Sequence, residues 1–330
     1  MALLGERIAG CLWPFLLAAC AANVASAVLK AVTWRGLLAG VRGVGERLGQ
    51  LDLLSALMVG ALVNTGLPGR AGEVAKVVLA RRRVSRRGGS AGVAQVAGSI
   101  AAEHLVATLA WGVLAVGLVV VLPVPRAIRV ATVAGVVACL LATALIARLP
   151  APGRELGGRW RRPSRALIDC WEAVHQGLRA LRRPRVCAAV SAAAVGQWVA
   201  QWAAIMLTLR ATGLAEVGPA AAGMVLVTLT LAHAVPLLPG GFGMFQMAAM
   251  LPLTGAYGVD PGAALAFGLL LQLSETAVSV ALGIVFLVRE NLAQAQLSIA
   301  TGSNVTSRLM TLRNAMRSSS VLRASRAGRM

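Results

Sequence analysis

The amino-acid sequence predicts an all-α polytopic membrane protein, with about six to eight transmembrane helices and two re-entrant or broken Pro-Gly hairpins. Three observations carry this expectation. Apolar residues make up 58% of the 330 residues and charged residues only 13%, against roughly half and a quarter in a soluble domain. Mean hydropathy is +0.75. The charges are bunched, and the apolar runs between them approach the roughly 20 residues that cross a hydrocarbon core. Finally, Pro-Gly breaks at 67–73 and 238–246 interrupt apolar surroundings. The length would fit two soluble domains. The apolar runs point instead to one membrane domain over residues 1–289 and a basic, flexible tail over 290–330.

The first apolar run, Ile8 to Leu29, is too long for a signal-peptide core. Lys30, Arg35, Arg42 and Arg47 follow it, which places its C-terminal end on the cytoplasmic side. Trp13 and Trp34 suit interfacial anchors. The next run, Leu51 to Leu67, is short and has basic residues on both flanks, with Arg81, Arg82, Arg83, Arg86 and Arg87 beyond it. A segment that enters and leaves on one face avoids placing either flank outside, and irregular backbone at membrane depth is tolerated where protein or a cavity surrounds it.

Val93 to Leu122 then spans outward, Pro123 and Pro125 make a short external turn, and Ala127 to Ala147 returns. Residues 150–185 read as a cytoplasmic loop. Within it Leu167, Ile168, Trp171, Val174, Leu178 and Leu181 recur at helical spacing, as in an amphipathic helix on the membrane surface. Val186 to Leu209 spans outward. Pro219 to Leu238 is apolar and ends at the second break, Met244 to Tyr257 is too short for an ordinary span, and Gly262 to Val288 runs inward to Arg289. Every strong basic cluster then falls on one side, with a multi-pass chain and a cytoplasmic C-terminal tail.

The net charge of +20 reads as loop charge obeying the positive-inside rule, with attraction to anionic lipid headgroups as a secondary role. No basic soluble module with groove-reading or aromatic elements is visible, so nucleic acid is not an expected partner. The five cysteines, Cys11, Cys20, Cys139, Cys170 and Cys187, are scattered and read as packing residues.

The two breaks share a pattern. Pro68-Gly69 is followed by Gly72, and Pro239-Gly240 by Gly243. The first pair of half-segments approaches from the cytoplasmic face and the second from the opposite face, as in inverted repeats that meet near the midplane of a transporter. Ordinary helix ends with Gly-Pro turns would give the same residues.

The segment N-T-G-L-P-G-R-A-G-E, residues 64–73, resembles the N-x-x-x-P-x-R-x-G-E signature of the lysylphosphatidylglycerol synthase transmembrane region family, also called flippase-like domain proteins. The later P-G-G-F-G, residues 239–243, is similar to that family's second motif. The resemblance covers nearly the whole chain except the tail. It implies movement of lipids between leaflets, and roles for Asn64, Pro68, Arg70, Gly72 and Glu73 and for Pro239, Gly240, Gly241 and Gly243. The chain departs from the pattern in several places. Glu103 is followed by His104 where relatives often have Arg, and position 107 is Ala where they have an acid. Gln246 replaces a Glu, and Gln272 replaces an Arg.

Arg70, Glu73 and Lys76 recur every three residues and would share one helix face. The Arg fork suits a phosphate, and Glu73 can hold Arg70 when the site is empty. An interfacial salt-bridge ladder is the competing reading. Glu103 and Glu275 lie inside spans, where a charge must face protein or water. Either can pair with Arg70 or Lys76 across the bundle or take part in a proton-coupled cycle. His104 is expected on a different face from Glu103. Gln272 and Ser279 share the face of Glu275. His233 reads as a packing residue, and Gln197 and Gln201 as polar glue between helices.

The three histidines have no metal-ligand spacing, and Walker A and paired-carboxylate motifs are both missing from the sequence. No cofactor and no enzymatic activity are expected. The leading expectation is a lipid flippase of a bacterial inner membrane, acting on a phospholipid, an isoprenoid-linked or a hopanoid-type lipid with an anionic headgroup. The alternative is a non-catalytic subunit that anchors or regulates a lipid-modifying enzyme or glycosyltransferase. An enzyme acting on a membrane lipid is a third reading.

Overall fold

The computed structural model describes residues 11–41, 43–67, 71–89, 92–121, 126–148, 161–234, 241 and 243–300. All regular structure among them is helical. In chain order the helices are α1 (Trp13–Leu38), α2 (Gln50–Gly66), α3 (Ala71–Arg86), α4 (Val93–Val121), α5 (Arg126–Arg148), α6 (Arg161–Ala180), α7 (Pro184–Ala211), α8 (Gly218–Ala234), α9 (Met244–Tyr257) and α10 (Pro261–Ala300). The chain forms two compact units, Met1–Ile284 and Val285–Met330. In the second unit α10 continues past Arg289 to Ala300. The sequence places a stop at Arg289, but Asn291-Leu-Ala-Gln-Ala-Gln-Leu consists mostly of good helix formers. Residues 301–330 of the expected tail lie outside the described residues.

Five helices are long and apolar enough to cross a membrane: Trp13–Leu38, Val93–Leu118, Pro184–Ala211, Ala215–Ala232 and Pro261–Asn291. The chain is therefore an all-α polytopic membrane protein. Helix α5 contributes a shorter apolar stretch, Val133–Leu145.

Helix boundaries follow local chemistry. Pro184 opens α7, where a missing N–H costs nothing. Asp260 caps α10 by accepting the Ala263 N–H at 3.0 Å, and Gly258 ends α9 with φ +62, a left-handed turn that favours glycine.

Helices α2 and α3 are the arms of the first broken hairpin. At 17 and 16 residues each reaches about 25 Å, short of a 30 Å hydrocarbon core. Their outer ends are tied together. Asp52 on α2 pairs with Arg87 at 2.7 Å and with Arg83 at 4.0 Å. Arg83 also donates to the Asp52 carbonyl, and to Ser55 Oγ at 2.7 Å. Arg47 and Arg87 each donate to the other's carbonyl. The start of α2 and the end of α3 therefore lie side by side, so the segment enters and leaves at one face. Asp52 additionally accepts the Gly49 N–H at 2.8 Å. Asp52→Ala is expected to cost about 2–4 kcal/mol, from a lost capping-box hydrogen bond to the Gly49 N–H and a part-buried ion pair, seen as a lower unfolding midpoint in detergent.

Two expectations change. Trp34 is not an interfacial anchor. It is 1% exposed and its indole donates to Ser99 Oγ at 3.0 Å, because α1 continues beyond Leu29 and carries Trp34 into the bundle. Helix α6 is amphipathic, but its apolar face lies against protein. A methyl on Gly98 would sit 2.4 Å from the Cys170 carbonyl, and one on Gly40 would sit 2.3 Å from the Gln176 carbonyl. These glycines let α6 seat on α4 and on the end of α1, burying Ile168, Ala173 and Leu178. Leu167 remains exposed.

The core of the first unit includes two apolar clusters. Leu37, Ala102, Val106, Leu178, Val190 and Ala194 join α1, α4, α6 and α7. Ile205, Val225, Phe245, Leu253 and Phe267 join α7, α8, α9 and α10.

Candidate functional site

The first hairpin closes on a pair of glycines. A Cβ on Gly72 would lie 2.0 Å from the Gly60 carbonyl oxygen, and one on Gly60 would lie 2.7 Å from Lys76 Cγ. Backbones approach this closely in membrane bundles only at small residues. Asn64 then reaches across the break and accepts the Gly72 N–H at 2.7 Å, satisfying a donor at the start of α3. Asn64 and Gly72 thus hold the hairpin tip together. Pro68 and Arg70 lie outside the described residues.

One turn further on, Glu73 pairs with Lys76 at 2.6 Å. Glu73 and Lys76 share a face and form an internal ion pair, while Arg70, the third residue of the expected face, lies outside the described residues. Lys76 is 5% exposed, so Glu73 is what makes its burial tolerable. Glu103 is also buried, at 2% exposure. Lys76 is not within ion-pair distance of it: one carboxylate oxygen lies 3.2 Å from His104 Nδ1, and the pairing with Arg70 falls outside the described residues. His104 keeps 43% of its side chain exposed against 2% for Glu103, as different faces imply, and its Nδ1 also lies 2.9 Å from the Ile100 carbonyl oxygen. His104 Nε2 lies 3.9 Å from Glu73, so His104 stands between two carboxylates.

Beside the tip of this hairpin is a cavity of about 320 Å³, within the size range of small-molecule sites. Its walls come from α1, α2, α3, α7 and α10. Asn23, Ser26 and Lys30 face it from α1, Asn64 from α2, Glu73 and Lys76 from α3, Gln197 and Gln201 from α7, and Glu275 and Ser279 from α10. Glu275 accepts a 2.6 Å hydrogen bond from Gln201. The two amides read as glue are thus cavity wall, and it is Gln201 that bridges α7 to α10. Among the predicted residues, the structure brings Asn64, Glu73, Lys76 and Glu275 together. Gly72 and Glu103 stand directly behind them.

Lys30, Asn23 and Ser26 were missed by sequence reasoning. Lys30 reads from sequence as a basic flank, yet two signals point to it. Asn23, Ser26 and Lys30 make a polar stripe at helical spacing on an apolar helix. The chain also contains only two lysines among its 32 basic residues, Lys30 and Lys76, and both line the cavity. A lysine offers a compact, mobile charge where an arginine offers a fixed fork.

The second motif behaves differently. Gly241 and Gly243 have φ of +68 and +84, which favours glycine at both. The Gly243 N–H donates to Gln246 Oε1 at 2.7 Å, and Gln246 Nε2 donates to Gln272 Oε1. The two departures from the resembled pattern therefore meet each other as a neutral amide pair. Gln246 and Gln272 do not line the cavity. Pro239 and Gly240 lie outside the described residues. Thr228 on α8 donates to the Ala248 carbonyl at 2.6 Å and joins the arms of this second hairpin.

Helix α10 orders the two hairpins. Gly268 and Gln272 receive α9, and Gly283 receives α2 at Leu62 and the Met58 carbonyl. Between these levels lies Glu275, which faces the cavity with Asn64. The arms α2 and α9 thus pack on α10 at different levels, α9 near Gly268 and α2 near Gly283.

Five helices long and apolar enough to cross a membrane and a polar cavity beside the first hairpin define an integral membrane protein. The family model described as the lysylphosphatidylglycerol synthase TM region matches residues 1–283, and the chain belongs to that family. No curated protein and no solved structure matches the chain. The matched region is the membrane part of such synthases and not their catalytic part, which marks this chain as a membrane lipid-related domain.

Proposed function

We propose that this protein is a flippase that moves a lipid between leaflets, with the headgroup in the cavity and the tails in the surrounding bilayer. The observation that carries this reading is the polar chamber at mid-length of α10, lined by ionisable and amide side chains that apolar helices would otherwise exclude. A headgroup crossing the bilayer needs such a surface in place of water. The chain performs no covalent step in this reading. The membrane is a bacterial inner membrane, and the tail lies on the side of the basic clusters.

The test is reconstitution in liposomes with labelled phosphatidylglycerol or a polyprenyl-phosphate lipid. Leaflet exchange above that of empty vesicles is expected for wild type, and a rate lower by about tenfold or more for Glu73→Gln and Arg70→Ala, each removing a charged contact to the headgroup or its holder.

One observation favours a second reading, a membrane subunit that holds a lipid-modifying enzyme or glycosyltransferase. Arg81, Arg82 and Arg86, and separately Arg182, Arg183 and Arg185, are exposed and offer basic surfaces to an acidic partner. Absence of exchange with every lipid tested, by folded protein, would favour it.

A further inference from the structure

Helix α4 does not line the cavity among the described residues, yet it touches two residues that do, one on each side. Glu73 on α3 lies 3.9 Å from His104 Nε2. Trp198 on α7 donates its indole N–H to the Ala107 carbonyl at 2.8 Å. His104 and Ala107 are one helical turn apart. Helix α4 therefore stands behind the seam between α3 and α7, at the level of the cavity.

The face of α4 at this seam is uncovered. Helix α6 seats on Gly98 and α5 on Gly112, where an added methyl would meet Cys170 and Val136 respectively. Between the two seats Ala101 and Thr108 are exposed, and His104 keeps 43% of its side chain exposed. The depth makes this unusual. His104 is near the middle of the span Val93–Leu118, about 16 Å of helical rise from its start and about 21 Å from its end. Beside it Glu73 keeps 32% of its side chain open. Thr108 donates its hydroxyl to the His104 carbonyl at 2.8 Å, a bond that a lipid-facing helix tolerates. A half-open imidazole and a part-open carboxylate at mid-depth require water or polar surface in front of them. Polar surface thus continues from the cavity, past Glu73, onto the outer face of α4.

Resting on the flippase reading, we propose that this face is a side portal: the lipid headgroup enters the cavity between α3 and α7, passing over Ala101, His104 and Thr108 while its tails stay in the bilayer. Glu73 and His104 form one edge of the portal and supply polar contact along the way. Trp198, bonded to the α4 backbone, forms the other edge and sets its width. The small side chains of Ala101 and Thr108 leave room between them.

The experiment reads water and transport at one position in the full chain in liposomes. Four of the five native cysteines are replaced by alanine to keep Cys139 alone, or all five are replaced and Thr108→Cys is added. Cys139 is the control because it is exposed among the exposed apolar Val137, Leu140 and Leu141 of α5, a surface suited to lipid. A membrane-impermeant thiol reagent attacks only a thiolate that water reaches, so Thr108→Cys is expected to react about tenfold or more faster than Cys139. Its modification is then expected to slow, by about tenfold or more, the exchange of whichever labelled lipid the unmodified protein moves, phosphatidylglycerol or the polyprenyl phosphate. The same folded protein is compared before and after reaction, so misfolding cannot imitate the effect. Reaction of Thr108→Cys as slow as that of Cys139, or fast reaction that leaves exchange unchanged, would overturn the portal and leave the flippase reading standing. No exchange of either lipid by folded wild type would overturn both.

Discussion

Glu73→Ala is expected to destabilise the protein by about 2–4 kcal/mol, because it leaves the Lys76 ammonium buried without its counter-charge. Lys76 is 5% exposed and its 2.6 Å contact with Glu73 is its ion pair. Glu73 itself keeps 32% of its side chain exposed, which holds the figure below that of a fully buried pair. The double variant Glu73→Gln, Lys76→Met should recover most of the loss, since it removes the charge together with its partner. Unfolding midpoints in detergent for the single and double variants check this. Equal midpoints would mean that the pair does not hold the hairpin.

Gly72→Val is expected to have a comparable effect for a different reason. Its Cβ would fall 2.0 Å from the Gly60 carbonyl oxygen and 2.6 Å from Asn64 Oδ1. The Gly60 oxygen is backbone and cannot swing aside, so α2 and α3 must separate. Overpacking of this kind costs about 1–3 kcal/mol and often more. The separation would also carry Asn64, Glu73 and Lys76 out of the cavity wall, so leaflet exchange should fall even where folded protein is recovered. Gly66→Ala is the control. Nothing lies within 4 Å of a Cβ there, and replacing a helical glycine stabilises by roughly 0.5–1 kcal/mol.

The helices were largely legible because apolar run length and basic flanks report the path of a membrane chain directly. The first hairpin was legible for a sharper reason. A short run with positive charge on both flanks has no consistent way to cross, and the Asp52, Arg83 and Arg87 contacts show that it returns. Rotation about each helix axis was harder to read. Hydropathy says which side of the membrane Lys30 is nearest, not which neighbour it faces, so it passed as flank charge. Trp34 failed similarly: an interfacial anchor and a buried indole look alike until the end of α1 is known. Asn64 and Glu73 stood out through a motif, and the structure supplies the reason for part of it. Asn64 caps the backbone at Gly72, and Gly72 admits Gly60. The Gln246–Gln272 contact could not be read from either residue alone, because the two lie 26 residues apart on different helices.

The seating of Gly283 against Met58 and Leu62 sets an order of biogenesis. Helix α3 carries Glu73 and Lys76, and a charged residue at the centre of a lone helix costs about 2.5–3.5 kcal/mol on release from the translocon. Neither arm of that hairpin is long enough to stay in the bilayer by itself. The surface that receives it is completed only by the last span, more than 200 residues after Leu62. A ribosome stalled before α10 is therefore expected to leave residues 50–86 open to protease.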